Sequence, residues 1–134
     1  FVPIDPISLA DGFTKLEKYI NDPNISPLIC AAISHIEFEA LHPFKDGNGR
    51  IGRMLTTLQL WTSGLISAPH FYISEYLEKN KEEYITRMRR VSSENEWTEW
   101  CIFFLGALEK QASMNLQIAA DIEQFWDYLI NYIF

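Results

Sequence analysis

The chain has 134 residues, enough for one hydrophobic core but not for two, so a single domain over 1–134 is expected. Apolar residues make up 48% and aromatics 14%, a composition that excludes an intrinsically disordered segment. The formal net charge of −7 argues against direct nucleic-acid binding by this segment, and no uncharged run is long enough to span a membrane.

The apolar periodicity is helical almost throughout, so the expected fold class is all-α. Pro6 to Ile20 reads as an amphipathic helix with Leu9, Phe13, Leu16 and Ile20 inward. Asp22-Pro23-Asn24 breaks it, and Pro27 falls in the first turn of the next helix, where its missing N–H costs least. That helix should stop near His42, because Pro43 disfavours helical geometry at the residue before it. A third helix starts near Gly49 with Met54, Leu55, Leu58 and Trp61 on one side, and Gly64 is a natural stop. A short helix near 74–79, capped by Ser74, precedes helices over 81–91 and 96–112. A final helix over about 114–132 places Phe125, Trp126, Leu129, Ile130 and Ile133 in the core. If the domain normally packs against a missing neighbour, that tail is instead an exposed interface. Cys30 and Cys101 sit in apolar helical patterns and read as buried free thiols, which makes a reducing cytoplasm the default compartment. The chain starts at Phe1 rather than methionine, so an excised domain is expected.

Between the second and third helices lies His42-Pro43-Phe44-Lys45-Asp46-Gly47-Asn48-Gly49-Arg50-Ile51-Gly52-Arg53. Gly47-Asn48-Gly49 just before a helix can turn backbone amides towards a ligand, and the helix start adds partial positive charge. Together these make an anion site. Arg50 and Arg53 oppose the helix macrodipole unless an anion lies in front of them, and guanidinium suits phosphate oxygens. Asp46 beside a phosphate makes sense with a cation such as Mg²⁺ between them. His42 can accept a proton from an incoming hydroxyl near neutral pH. Phe44 is expected to anchor the loop in the core, and Asn48 could serve as the N-cap of the next helix. His35, two turns before His42, lacks metal-ligand spacing and reads as structural. Arg87, Arg89 and Arg90 read as a solvated helix face.

The stretch resembles the signature of the Fic family, His-Pro-Phe-x-Asp/Glu-Gly-Asn-Gly-Arg-x-x-Arg, at every specified position. The core of the resemblance extends over residues 1 to about 112, followed by 113–134 as a C-terminal helix. It implies a protein adenylyltransferase that moves AMP from Mg·ATP to a Ser, Thr or Tyr hydroxyl of a target protein or of itself. On that resemblance His42 is the general base and Asp46 the Mg²⁺ ligand. Gly47, Asn48 and Gly49 form the anion hole, Arg50 contacts the phosphate chain and Arg53 the γ-phosphate. Family members often carry a Tyr-Tyr pair near the nucleobase. Here the pair is Tyr84-Ile85, which makes Tyr84 the candidate base contact. An inhibitory Ser/Thr-x-x-x-Glu helix ending in Gly or Asn is not found in convincing form: Ser74 to Glu78 has the spacing without the ending. The rivals are removal of AMP from a modified protein on the same scaffold and a non-catalytic nucleotide-binding module. ATP and an unidentified target protein are the partners implied, and a homo-oligomer stays open.

Overall fold

The computed structural model describes residues 4–133, and among these the chain forms six helices and no strand. The first, α1 (Pro6–Ile20), starts as its sequence requires. Asp5 Oδ1 accepts from the amides of Ile7 and Ser8 at 3.0 Å each, and Pro6 occupies the first turn. It lies on α2 (Pro27–Leu41), with Leu16, Phe38 and Leu41 forming a small core patch flanked by Leu9, Ile20 and Leu55. Phe13, expected inward, is 38% exposed at the edge of this patch.

Helix α2 is the central element. Cys30, Ala31, Ala32, Ser34, His35, Ile36, Phe38 and Leu41 are all buried, so it is enclosed on most of its circumference. It packs against α3 (Asn48–Thr62) at close range. Gly52 makes this possible: a Cβ there would stand 2.7 Å from Glu39 Oε1 and 3.3 Å from Phe38 Cδ1. The buried face of α3 carries Gly52, Thr56, Thr57, Gln59 and Leu60. Its polar groups are satisfied locally, with Gln59 Nε2 donating to Ser34 Oγ at 2.7 Å and Thr56 Oγ1 to Gly52 O at 3.2 Å. The apolar stripe read from periodicity faces outwards: Met54, Leu58 and Trp61 are exposed, and only Leu55 is half-buried.

A loop over 63–73 leads to α4 (Ser74–Lys79), α5 (Lys81–Glu94) and α6 (Trp97–Tyr132). The main core gathers where α2, α4, α5 and α6 meet. Trp100, Phe104 and Ile73 are fully enclosed there, with Ala32, Ile36, Leu77, Tyr84 and Val91 around them. Trp100 Nε1 donates to Ala32 O at 2.7 Å, which satisfies the indole while fixing α6 across α2. Arg87 pairs with Glu83 and Glu99, and Arg90 with Glu96, so two of the three clustered arginines brace α5 against the start of α6.

Two helices were expected over 96–112 and 114–132; the chain forms one, 36 residues long. No glycine or proline interrupts residues 107–133, so nothing ends the helix at 112. Its two halves differ sharply. Up to Gln111 it packs on the core, whereas none of residues 112–133 is buried. Phe125, Trp126 and Ile133 are 59–61% exposed, so the core role expected for this tail is overturned. Cys30 is buried and Cys101 half-buried, and both are free thiols. Among the described residues no helix is long and apolar enough to cross a membrane.

Candidate active site at the α2–α3 corner

The corner is built by a sharp stop and a sharp restart. His42 closes α2 in the left-handed region, φ 45° and ψ 56°, with its amide still donating to Phe38 O at 3.1 Å. A non-glycine residue rarely adopts this conformation, and Pro43 prevents the helix from simply continuing. Gly47, at φ 81°, opens α3 from the same region, where a side chain would be strained. The four-residue connection between them is closed by Asn48. Its Oδ1 accepts from Phe44 N–H at 2.9 Å and its Nδ2 donates to Phe44 O at 2.6 Å.

These contacts change two expectations. Phe44 is 47% exposed, so its ring does not anchor the loop; the buried Asn48 amide holds it through the Phe44 backbone instead. Asn48 is also not the N-cap, a position taken by Gly47, and its side chain reaches back into the loop. With α3 starting at Asn48, the first-turn amides of Asn48, Gly49 and Arg50 have no intrahelical acceptor and point out of the helix start. Both arginines fold back towards this end. Arg50 Nη2 comes within 3.6 Å of where a Cβ on Gly47 would stand, and Arg53 Nη1 within 3.2 Å of the same point on Gly49. There is no acidic residue in the first turn of α3. Two guanidinium groups and a set of outward amides therefore converge on one end of a helix, an arrangement suited to an anion with several oxygens.

Asp46 stands exposed at the loop tip, its Oδ1 accepting from Gly47 N–H at 2.7 Å. Among the described residues no three His, Cys, Asp or Glu side chains gather at metal-binding range. A divalent ion here would bind through Asp46 together with phosphate oxygens, which is how Mg²⁺ commonly sits beside a nucleotide. The donor set fits that use. The half-buried Arg53 donates from Nε to Ser74 Oγ at 3.0 Å. Ser74 is thus not the cap of α4, whose N-cap is Ile73. Glu39 lies on the inner side of the corner with Oε1 buried and without a hydrogen-bond partner. Burial raises its carboxyl above the usual range, against the opposing pull of Arg53 and His42. Neither Ser74 nor Glu39 was singled out for the site from sequence. Their roles depend on contacts between separate helices, and only the packing brings them in.

Tyr84 is placed differently from expectation. It is 8% exposed, its ring lies 6.0 Å from Trp100, and its hydroxyl lies 2.8 Å from His35 Nε2. His35 Nδ1 in turn lies 3.4 Å from Gly52 O and 3.3 Å from Thr56 Oγ1. Tyr84 therefore belongs to a buried polar chain beneath the corner, which corrects the base-contact expectation, because its hydroxyl and ring are already engaged. His35 is structural, as its spacing suggested, and burial holds its imidazole down to about 4. The hollow lined by Lys79, Lys81, Glu83, Arg87 and Arg90 lies at the α4–α5 end and includes none of the motif residues.

The Fic/DOC family model matches residues 1–60, which spans α1, α2, the loop and most of α3. Over that stretch the chain is similar to the Fic/DOC family. A protein adenylyltransferase Fic of Drosophila erecta is 26% identical over 126 residues, 92% of this chain and 24% of that protein. A probable protein adenylyltransferase of Aquifex aeolicus is 36% identical over 90 residues, 66% of this chain and 26% of that protein. The crystal structure of a Fic family protein from Desulfovibrio desulfuricans G20 superposes with a TM-score of 0.76 at 27% identity, covering 89% of this chain and 36% of that one. The chain thus spans about a quarter of the length of these two curated relatives.

Proposed function

We propose that the α2–α3 corner binds Mg·ATP and transfers its AMP moiety to a hydroxyl of a target protein, or of this chain itself, releasing pyrophosphate. The observation that carries this reading is the convergence of outward α3 amides, Arg50 and Arg53 on the start of α3, at the end of a loop that opens with a left-handed His42. In this reading the amides of Asn48, Gly49 and Arg50 hold phosphate oxygens, and the two guanidinium groups take the rest of the triphosphate. Asp46 would hold Mg²⁺, which supplies charge neutralisation on the phosphate oxygens. A ring nitrogen of His42 removes the proton from the target hydroxyl as its oxygen forms a bond to the α-phosphorus. The bond from that phosphorus to the β-phosphate bridging oxygen breaks, and pyrophosphate departs. Positioning and charge stabilisation do most of the work in such a transfer, and a preorganised loop provides both.

The test is intact-mass spectrometry of the protein, and of His42→Ala, after incubation with Mg·ATP and a cell lysate. The expected result is an added AMP on the chain or on a lysate protein, reduced roughly 10²–10⁴-fold in the variant while ATP affinity is largely kept. ATP binding with no AMP on any protein would instead favour a nucleotide-sensing module. Equal loss of binding and transfer in the variant would remove the general-base role from His42.

A further inference from the structure

Arg53 is a long side chain that must present one face of its guanidinium to a ligand, and a freely rotating arginine does this poorly. Here it is restrained from a different part of the fold. Its Nε donates to Ser74 Oγ at 3.0 Å, a contact spanning 21 residues between α3 and α4. Ser74 stands on a firm base. Ile73 before it is fully buried, Leu77 is 2% exposed, and the Tyr76 amide donates to Gln111 Oε1 of α6 at 2.9 Å. On its other side, Arg53 Nη1 lies against Gly49, and the buried Glu39 Oε1 is 3.8 Å from the point where a Gly49 Cβ would stand. A larger residue at 49 would push the guanidinium away from the helix start.

We propose that Ser74 is a positioning residue for Arg53: its hydroxyl takes the Nε–H so that the terminal amino groups are aimed at the anion site at the start of α3. This rests on the nucleotide-transfer reading above and adds to it a residue outside the signature loop. The chemistry of a serine suits the task. A hydroxyl orients the Nε edge without neutralising the guanidinium, so the full positive charge and the paired Nη donors remain for phosphate. A carboxylate at the same place would compete with the ligand. The core of α4 and α6 thereby sets the aim of a side chain on α3.

The experiment is calorimetric titration of Mg·ATP and Mg·ADP into the wild type, Ser74→Ala, Ser74→Thr, Arg53→Ala and the Ser74→Ala/Arg53→Ala double variant. Thermal unfolding of each is recorded alongside. Ser74→Ala should weaken Mg·ATP binding about three- to tenfold, the loss of one hydrogen bond, with little change for Mg·ADP, which lacks the terminal phosphate assigned to Arg53. Ser74→Thr should restore most of the affinity, and Ser74→Ala should add nothing once Arg53 is gone. Unchanged Mg·ATP affinity in Ser74→Ala, or a loss equal for both nucleotides that persists without Arg53, overturns the assignment. A wild type that binds neither nucleotide overturns the nucleotide reading itself, a result distinct from either of those.

Discussion

His35 is 1% exposed between Tyr84, Trp100 and Phe104, with Arg53 adding a small repulsion to a proton there. Desolvation is the largest cause and holds the imidazole at about 4, against 6.5 when exposed. The sign follows from proton counting. Between those two values the unfolded chain binds a proton that the folded chain refuses, so stability is fully present above about pH 6.5 and falls as acid is added. Taking both values, the loss between about pH 7.5 and pH 5 is about 2 kcal/mol. Glu39 works in the opposite direction, because its folded carboxyl is raised: the stability it lowers at neutral pH returns as pH falls. The comparison must therefore be made between wild type and His35→Gln, in which every other group is shared. Urea unfolding at the two pH values should show a fall about 2 kcal/mol larger in the wild type than in the variant. Parallel pH dependence in the two proteins would refute the reasoning. So would a His35 ring resonance in the intact wild type that titrates with the ordinary midpoint, a check that does not require the variant to fold.

Asn48→Ala removes both hydrogen bonds to the Phe44 backbone and should lower stability by about 1–3 kcal/mol while loosening the loop that carries Asp46. An unchanged unfolding midpoint with lost transfer would mean that the Asn48 side chain serves the ligand instead. Gly52→Ala puts a methyl 2.7 Å from Glu39 Oε1 and should destabilise by about 1–3 kcal/mol. The same substitution in a Glu39→Ala background should be milder, and equal penalties in both backgrounds would point to Phe38 as the obstacle. Hydrogen exchange should divide α6: amides up to Gln111 protected by the core, those beyond about residue 113 exchanging far faster. Uniform protection along the helix would show that its outer half is covered in solution.

Much of this was legible because short-range chemistry wrote it. Asp5-Pro6 marks the start of α1, Pro43 the end of α2 and Gly64 the region after α3, each through a local backbone constraint. The signature loop was legible for the same reason, since its turn and the helix start behind it are made by neighbours in sequence. The inward face of α3 was not. Periodicity selects the largest apolar residues, whereas the buried face of α3 is mostly small or polar, with Gly52, Thr56, Thr57 and Gln59 beside a single large apolar residue, Leu60. Tyr84 and Ser74 were misread because their partners, His35 and Arg53, are 49 and 21 residues away in sequence. The break expected near residue 113 had no glycine or proline behind it. What changes there is burial: residues up to Gln111 pack on the core and those beyond it do not, while the helix runs on.

That continuous α6 also acts as a protractor. Its 36 residues run for about 54 Å, and the half beyond Gln111 carries Ile118, Ile122, Phe125 and Trp126 around a rigid axis anchored at Trp100. Each residue added or removed between Gln111 and Ile118 would turn those side chains by about 100° and slide them about 1.5 Å, leaving the His42 corner untouched. The angular phase of the outer half is thus set by a count of residues, independently of the chemistry at the other end of the fold.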